Sequence, residues 1–418
     1  MIENACRYGD IVYYKAAKRP IFQLNHPDLI QEMLLNNETK HHRGIVMQRA
    51  RSVLGNGMLT SEEPLHMRQR RLAQPAFLRQ RIASYGDVIA RYAAAMTTRW
   101  QSGQLIDLHQ EMLLVALRIV GKCLFDSGVE SEVKRISRAV NALMGILPLV
   151  FLPFSQFIER LPFGPMKRIH DGEADLNGII YGIIRERRLS PGDRGDLLSM
   201  LLAAVDAEEN TGQMTDQQVR DECLTVLLAG HETTANGLSF ALWLLAQNPG
   251  IQDKLHQESS SVLDGRTPAA DDYAKLPYVH MVFAEAMRIY PPVWVTARTC
   301  AQRYTLRGIE VPAGAVLLAP QIAVHRDPRF YIEPMRFNPD RFNNGGPSRS
   351  RFAYFPFGGG SRQCIGEGLA WMEGVLVLAS IVRDWRILPA PGAPSELTIQ
   401  ASITLRPANG LPLLVERR

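Results

Sequence analysis

The sequence contains no apolar run long enough to cross a bilayer. Its most apolar window, residues 142–154, is 13 residues long and includes Pro148 and Pro153, whereas a membrane-spanning helix needs about 20 apolar residues. The first 19 residues carry several charges and lack the apolar segment of a secretory signal. These absences predict a protein with no membrane anchor.

Cysteine is also scarce. The 5 cysteines are odd in number and widely scattered, and none stands in the C-x-x-C spacing of a zinc ligand pair. A disulfide framework and a structural zinc site are therefore not expected, and the thiols indicate a reducing compartment. We expect a cytoplasmic protein.

A strong excess of one charge is missing too. The 47 basic and 42 acidic residues leave a net charge of +5, which does not suggest a nucleic-acid partner. No linker rich in Ser, Gly or Pro, no low-complexity tract and no internal repeat divides the 418 residues. A hydrophobic content of 46% supplies a large core. We therefore expect one domain that spans residues 1–418.

Apolar residues at helical spacing predict a helix-rich chain through the first 290 residues, followed by strands and loops. The predicted helices span residues 63–77, 84–101, 109–125, 166–189, 195–206, 215–248, 278–290 and 366–384, and the predicted strands span residues 293–299, 304–306 and 315–318. The fold class is therefore mainly α with small β-sheets (α+β). The expected helix-rich lobe covers about residues 60–290 and 360–385, and smaller β-containing regions cover about residues 1–60, 293–320 and 386–418.

One cysteine lies in a glycine-rich loop. Cys364 belongs to the run of residues 357–366, which contains four glycines and Arg362. Glycine permits backbone angles that a Cβ would forbid, and a nearby cation and backbone amides favour an ionised thiol. The loop thus favours a presented thiolate, although a buried inert cysteine in a turn is the common alternative.

The long predicted helix has a polar run at residues 229–234, where Glu232 and Thr233 place an acid beside an alcohol. Gly and Thr lower helix propensity, and a Thr hydroxyl can bond to a carbonyl of the preceding turn. Such a pair can relay a proton into a dry pocket. The alternative is a polar patch that reaches solvent, and we interpret His231 as a satisfied surface or edge histidine.

Three further groups combine charges at close spacing. Glu285 and Arg288 share one helix face and can form a charge-assisted bond. His66 and Arg70 also share a face and would form a cationic clamp for a carboxylate ligand. Residues 337–342 place an Asp/Arg pair between aromatic residues. Each group alone has an ordinary explanation as a solvated helix face or a plain turn.

In this order, the segments resemble the cytochromes P450, which are haem-thiolate monooxygenases. The loop that carries Cys364 matches the family pattern F-x-x-G-x-R-x-C-x-G, and residues 229–234 match A/G-G-x-D/E-T-T/S. Glu285 and Arg288 match E-x-x-R, and residues 340–342 match the segment that packs against that pair. The matching segments cover nearly half of the chain, and the resemblance is to the soluble bacterial type.

The resemblance implies a bound haem b, held between a long distal helix and the cysteine loop with its following helix. Cys364 would be the axial thiolate of the iron, with an electron push that favours cleavage of the O–O bond. Phe357 would shield the thiolate side of the porphyrin. The haem propionates would be bound by His66, Arg70, Arg298 and Arg362, and a structural network that holds the loop would consist of Glu285, Arg288 and Arg341. Many relatives carry Trp at the position of His66.

The implied reaction inserts one oxygen atom of dioxygen into a lipophilic small molecule, by hydroxylation or epoxidation. Glu232 and Thr233 would guide protons to the dioxygen. A fatty acid, a terpenoid or a steroid-like substrate is favoured, with a polyketide as the second choice. The expected pocket residues are Ala229, Val293, Trp294 and Ile403, from segments at residues 51–59, 224–229, 293–296 and 402–405, with a lid at residues 142–163.

The resemblance also bears on partners. No flavin or iron–sulfur segment follows the cysteine loop, so a separate ferredoxin or flavodoxin with its NAD(P)H-dependent reductase would supply electrons to a monomeric enzyme. Two alternatives stay open: a peroxide-driven peroxygenase on the same fold, and a non-catalytic haem-binding protein. The presence of both Glu232 and Thr233 favours the monooxygenase over either.

Overall fold

The structure is a computed structural model that describes residues 1–16, 18–36, 38–126, 132–144, 164–206, 212–343, 350–394 and 396–418. Its α-helices are α1 Ile2–Tyr8, α2 Pro27–Gln31, α3 Ile45–Leu54, α4 Leu65–Ala73, α5 Arg79–Thr97, α6 Leu108–Phe125, α7 Val133–Met144, α8 Pro165–Leu189, α9 Leu197–Ala203, α10 Asp216–Gln247, α11 Pro249–Leu263, α12 Pro277–Ile289, α13 Gln321–Val324 and α14 Glu367–Asp384. Short 3-10 turns span Glu38–Lys40, Gln74–Phe77, Ala270–Lys275, Pro339–Phe342, Arg351–Ala353 and Gly360–Arg362, and a π turn spans Glu32–Asn36.

The strands form small sheets. They are β1 Ile11–Ala16, β2 Arg19–Leu24, β3 His41–Arg43, β4 Gln104–Asp107, β5 Val205–Asp206, β6 Gly212–Gln213, β7 Thr296–Cys300, β8 Tyr304–Leu306, β9 Ile309–Val311, β10 Val316–Ala319, β11 Trp385–Pro389, β12 Ile399–Ala401, β13 Leu405–Pro407 and β14 Pro412–Arg417. One sheet has the order β1-β2-β10-β7-β3, a second has the order β11-β14-β4, and β5–β6, β8–β9 and β12–β13 are two-stranded. In the first sheet β2 and β10 are parallel, and the other pairs are antiparallel.

Helix α10 runs through the centre of the fold. It begins with a capping box, in which the Gln218 backbone N–H donates to Thr215 Oγ1 at 3.2 Å and the Thr215 N–H donates to Gln218 Oε1 at 2.9 Å. Most of its residues are buried, because it packs against α6, α12 and α14 on different sides. A helix that is apolar nearly all round requires such surroundings.

The predicted fold class is confirmed, and the predicted helices occur within a few residues of their expected bounds. The segment predicted to end α10 also begins the next helix. Asn248 caps the end of α10, and Pro249 is the first residue of α11, a position whose backbone N–H has no partner within the helix. The sequence analysis did not predict α11. Its interpretation of His231 as a surface or edge residue is wrong, because His231 is buried with its Nδ1 3.2 Å from the Leu227 carbonyl oxygen.

Among the described residues, no helix is long and apolar enough to span a bilayer. The buried apolar residues instead form two large clusters around α10. One cluster joins the C-terminal half of α10 to α5, α12, α14 and the sheet of β11 and β14. The other joins its N-terminal half to α4, α8 and α9, and α6 contributes to both. The core therefore continues along both halves of α10.

A fully buried ion pair lies on α12. Arg288 donates from Nε to Glu285 Oε2 at 2.6 Å and from Nη2 to Oε1 at 2.8 Å. Glu285 Oε1 also accepts the Asn338 backbone N–H at 3.0 Å and Arg341 Nε at 3.2 Å. The third donor of Arg288, Nη1, bonds to the His325 carbonyl oxygen at 2.7 Å. Residues expected to form one network therefore do contact one another.

We expect Gly374→Ala to destabilise the fold and Gly182→Ala to stabilise it. A Cβ at Gly374 on α14 would overlap the Phe283 ring on α12, whereas a Cβ at Gly182 on α8 would meet no atom within 4 Å. Overpacking costs about 1–3 kcal/mol, and replacing an exposed helical glycine by alanine stabilises by about 0.5–1 kcal/mol. Urea unfolding of both variants measures the difference, and equal effects would contradict the packing described here.

We expect Glu285→Ala to lower the free energy of unfolding by about 3–5 kcal/mol, because it leaves a buried guanidinium without its carboxylate. The matched control is Arg336→Ala, which removes an ion pair with Glu333 whose side chains are 66% and 62% exposed. An exposed pair contributes about 0–1 kcal/mol. Thermal unfolding followed by circular dichroism compares the two. Similar small losses in both variants would show that the buried network has no special weight.

Candidate functional site

A cavity separates the middle of α10 from the cysteine loop. The cavity has a volume of about 320 Å³. Most of the described residues that line it come from α4, α6, α10, α12, β3, β7, α14 and the loop before α14. Most of its walls are apolar, and its charged side chains stand apart from the α10 wall on α4, β3, β7 and the loop, with one carboxyl on α14.

Cys364 presents its sulfur to this cavity. The loop is folded by a bond from the Cys364 backbone N–H to the Phe357 carbonyl oxygen at 3.0 Å. Gly358 and Gly360 both have φ of +74°, a region that other residues enter at a cost. Phe357 lines the cavity too, and its ring lies 5.5 Å from that of Trp371. The loop therefore presents a thiol as the sequence analysis expected.

The ionisation of this thiol differs from the expectation. The sulfur is open to the cavity, but protein surrounds the cavity, and burial raises the pKa of Cys364 to about 11. The Gly366 backbone N–H and Arg70 oppose that rise in pKa. Arg362, the cation predicted to favour the thiolate, points to the Ser61 carbonyl oxygen at 2.9 Å and pairs with Glu62 at 3.3 Å. Metal coordination deprotonates a thiol outright, so the loop needs only to present the sulfur.

The four residues predicted to bind carboxylates all line the cavity. Arg70 on α4 donates from Nη1 to the Gln363 carbonyl oxygen at 2.7 Å and so ties α4 to the cysteine loop. Arg298 on β7 is nearly buried. His66 corrects the idea of a cationic clamp: burial and then Arg362 lower the pKa of His66 to about 4, although Glu63 at 2.8 Å opposes this. His66 is therefore a neutral hydrogen-bonding group.

The acid and the alcohol of α10 face different ways. Thr233 lines the cavity, as does Ala229, whose carbonyl oxygen accepts the Thr233 hydroxyl at 2.6 Å. This is the bond to the preceding turn that the sequence predicted. Glu232 is buried on another side of the helix, where its Oε1 accepts the Thr404 hydroxyl at 2.7 Å and lies 3.8 Å from Nη1 of Arg406. Glu232 is not among the described residues that line the cavity.

The predicted substrate pocket is only partly assembled. Ala229 and Val293 line the cavity, together with Met58, Leu59 and Thr296 from predicted segments. Trp294 and Ile403 are placed elsewhere: Trp294 donates from Nε1 to the Ser402 carbonyl oxygen at 2.9 Å and packs near Phe240, and Ile403 packs on the core around the N-terminal half of α10. Most of the predicted lid, residues 145–163, lies outside the described residues.

The sequence analysis missed two cavity residues that combine an ionisable side chain with a buried polar atom lacking a partner. Arg43 on β3 and Glu373 on α14 both line the cavity, and each has one buried polar atom, Nε and Oε1 respectively, without a partner among the described residues. Burial raises the pKa of Glu373 well above its usual range, so this carboxyl is neutral. Arg43 follows a lysine and two histidines in sequence, and this basic run is the signal from which a cationic site at Arg43 could have been predicted.

The lining fits haem b. A flat apolar group with two carboxylates matches a slot that has apolar walls, a thiol on one side and guanidinium groups at its edge. The unpartnered Nε of Arg43 is a donor that such a carboxylate could satisfy. Cys364 would then hold the iron through its sulfur.

Comparisons with known proteins agree. A family model described as Cytochrome P450 matches residues 1–414. Cyclooctatin synthase of Streptomyces melanosporofaciens is 38% identical over 97% of this chain and 89% of its own length. Pentalenene oxygenase of Streptomyces avermitilis is 34% identical over 92% of this chain and 86% of its own length. Cyclooctat-9-en-7-ol 5-monooxygenase of Streptomyces melanosporofaciens is 35% identical over 92% of this chain and 84% of its own length.

A solved structure is similar over most of its length. The crystal structure of cytochrome P450DA heme domain superposes with a TM-score of 0.85 at 26% identity, and the match covers 98% of this chain and 90% of that one. The expected haem b cofactor and monooxygenase class are thereby confirmed. The chain belongs to the cytochrome P450 family, and it is a haem-thiolate monooxygenase.

Proposed function

We propose that this enzyme hydroxylates or epoxidises a terpenoid, with electrons from a separate ferredoxin or flavodoxin and its NAD(P)H-dependent reductase. The observation that carries the proposal is the α10 wall of the cavity, where Thr233 stands among apolar side chains. The names of the relatives support a terpenoid over a fatty acid or a steroid, since they include pentalenene oxygenase and cyclooctat-9-en-7-ol 5-monooxygenase.

The cavity walls position such a substrate. Many of the side chains that line the cavity together with Thr233 are hydrocarbon, and these are Met58, Leu59, Val120, Leu124, Val226, Met287 and Val293. Apolar walls bind a hydrocarbon skeleton by removing it from water, and they leave few polar groups to fix its orientation. Shape therefore selects the carbon that is oxidised. The same walls exclude water from the reacting atoms.

The haem supplies the oxidising chemistry when it is bound, and the chain supplies binding, orientation and protons. Cys364 would hold the iron from one side, and His66, Arg70, Arg298 and Arg362 would hold the carboxylates. On the other side, the Thr233 hydroxyl lies at the cavity wall and donates a hydrogen bond to the Ala229 carbonyl oxygen. A hydroxyl held in this way can pass a proton into the cavity and receive another.

Glu232 would bring protons to that hydroxyl from outside the cavity. Its carboxylate is held by Thr404 in the loop between β12 and β13, and Arg406 on β13 lies 3.8 Å away. The Arg406 side chain is 30% exposed, so this side of Glu232 is close to solvent. A carboxylate with one bond to a hydroxyl and one distant cation can turn between solvent and α10 at modest cost. The separation of Glu232 from the cavity keeps bulk water away from the site.

The proposal also includes the compartment and the oligomeric state of the enzyme. The enzyme would act as a cytoplasmic monomer, and the free cysteines of the described chain support a reducing compartment. A peroxide-driven reaction is the second candidate, and the position of Glu232 outside the cavity lining is the observation in its favour. Such a reaction would need no proton delivery from Glu232. The two functions predict different oxidants.

We expect cyclic terpene hydrocarbons to shift the ferric haem band to the blue, because they displace water from the iron. The test is titration of the oxidised holoenzyme with terpenes, medium-chain fatty acids and steroids, followed by turnover with ferredoxin, reductase and NADH under isotopically labelled dioxygen. The expected product carries one labelled oxygen atom. Product formed with hydrogen peroxide alone would support the peroxygenase instead, and shifts only with fatty acids or steroids would overturn the terpenoid assignment.

We expect Thr233→Ala to divert electrons from product to hydrogen peroxide while the haem spectrum stays unchanged. Glu232→Gln should slow turnover by about 100-fold, the lower end of what proton transfer by a positioned group contributes. The matched control is Ser239→Ala on the same helix, whose hydroxyl also bonds to the preceding turn, at 2.7 Å from the Ala235 carbonyl oxygen, but away from the cavity. NADH consumption, product and peroxide are measured together. Equal coupling in Thr233→Ala and the control would remove Thr233 from the relay.

A further inference from the structure

The loop between α3 and α4, residues 55–61, forms part of the cavity wall. Met58 and Leu59 of this loop line the cavity, and so do Thr225 and Val226 in the N-terminal half of α10. The loop belongs to neither a helix nor a strand. No ladder of backbone hydrogen bonds therefore fixes its position, and other contacts have to hold this part of the wall in place.

Two neighbouring carboxyls of α10 bind the backbone of this loop. Asp221 Oδ2 accepts the Asn56 backbone N–H at 2.8 Å, and Glu222 Oε2 accepts the Met58 backbone N–H at 3.1 Å. Asp221 also pairs with Arg220 at 2.8 Å, so it has a second role in an ion pair. The bond from Met58 to Glu222 is the one that acts directly on a residue of the cavity wall.

The loop backbone lies directly on α10. A Cβ at Gly57 would overlap Thr225 Oγ1 and the Asp221 carbonyl oxygen. The loop is also folded on itself, because the Thr60 backbone N–H donates to the Gly57 carbonyl oxygen at 2.9 Å. A loop that is compact in itself and tied to a helix through a few contacts moves as a unit when one of those contacts is lost.

Glu222 acts as a neutral group. Its side chain is fully buried, and its Oε1 has no hydrogen-bond partner among the described residues. Burial raises the pKa of Glu222 to about 8, the Met58 N–H opposes this rise, and Asp221 adds to it. A buried polar group costs free energy that a leucine would avoid. The acceptor for Met58 is the compensating contact that the structure shows, and the neutral amide of glutamine could supply the same acceptor.

We propose that Glu222 is a positioning residue that determines which molecules the cavity accepts, because it holds the loop of residues 55–61 against α10. Glu222 is not among the described residues that line the cavity, so it acts through Met58 and Leu59. The inference rests on the proposed function only in that the cavity holds the substrate. It depends neither on a terpenoid nor on the proton relay.

Azoles are suitable probes, because their nitrogen binds the haem iron while their bulk meets the cavity walls, whatever the natural substrate is. The measurement is the red shift of the ferric haem band when each holoenzyme is titrated with imidazole and with clotrimazole, a bulky azole. The variants are Glu222→Leu and Glu222→Gln, with Glu258→Leu as the matched control. Glu258 on α11 also accepts backbone N–H groups, those of Tyr278 and Val279 at 2.9 and 3.0 Å, but away from the cavity lining.

We expect Glu222→Leu to bind clotrimazole about 10-fold more tightly relative to imidazole. The Met58 N–H loses its acceptor, and the loop moves away from α10 to bring this N–H into contact with water. The ratio of the two dissociation constants should stay at the wild-type value in Glu222→Gln and in Glu258→Leu.

A wild-type ratio in Glu222→Leu would overturn the proposal. The same shift in Glu258→Leu would overturn it as well, since any lost carboxyl would then have this effect, and so would the same shift in Glu222→Gln, which keeps an acceptor. If Glu222→Leu does not bind haem, Glu222→Asp decides, because its carboxyl is one methylene shorter. A wild-type ratio in Glu222→Asp would then contradict the role of the Met58 bond. Failure of the terpenoid assignment would leave all of these ratios unchanged.

Discussion

The buried ion pair of Glu285 and Arg288 is connected by hydrogen bonds to the segment that leads into the cysteine loop. Arg288 donates one hydrogen bond to the His325 carbonyl oxygen. The His325 ring accepts the backbone N–H of Phe355 at 3.0 Å, and Phe355 lies only a few residues before the cysteine loop. The Tyr354 hydroxyl bonds to the Ala284 carbonyl oxygen at 2.9 Å, back on α12. Two separate paths thus connect α12 to the chain that leads into the thiol. A buried pair of this kind stabilises little in itself, but removing one partner is costly, so it fixes a position more than it adds stability.

The cavity also contains buried charges that need a counter-charge, but here the counter-charge would come from the haem carboxylates and not from the chain. Guanidinium groups on α4, β3, β7 and the cysteine loop converge on one end, and the nearby carboxylates leave them in excess. Mutual repulsion opposes this convergence in the protein alone. Binding of a dianion converts the repulsion into attraction, and for this reason cofactor binding and folding of this end should be coupled. The sheet edge and the cysteine loop are far apart in sequence, and a dianion bound between them would join them.

Local patterns predicted the parts of the site that a single segment encodes. The glycine loop, the capping box of α10 and the Thr233 bond to the preceding turn each depend on residues within one turn or one helix. The opposition of Arg43 and Arg298 depends on the pairing of two strands from distant parts of the chain, and no spacing in the sequence encodes that register. The bond from Thr404 to Glu232 has the same character, although residues 402–405 had been assigned to the pocket wall. The charge of His66 was predicted wrongly because it depends on burial and on Arg362, which is distant in sequence, and both lower the pKa of the imidazole.

Helix geometry explains why the acid and the alcohol of α10 have different surroundings although they are adjacent in sequence. Successive residues on an α-helix project about 100° apart, and on α10 this offset turns Glu232 toward the C-terminal hairpin while Thr233 lines the cavity. Thr233 takes the cavity, and Glu232 takes the contact with Thr404 and Arg406 on the C-terminal hairpin. Placing a carboxylate among the apolar walls of the cavity would cost a large desolvation free energy, and the charge would draw water into the cavity. The acid and the hydroxyl are therefore adjacent in sequence, while the direction of the Glu232 side chain keeps its carboxyl out of the cavity lining.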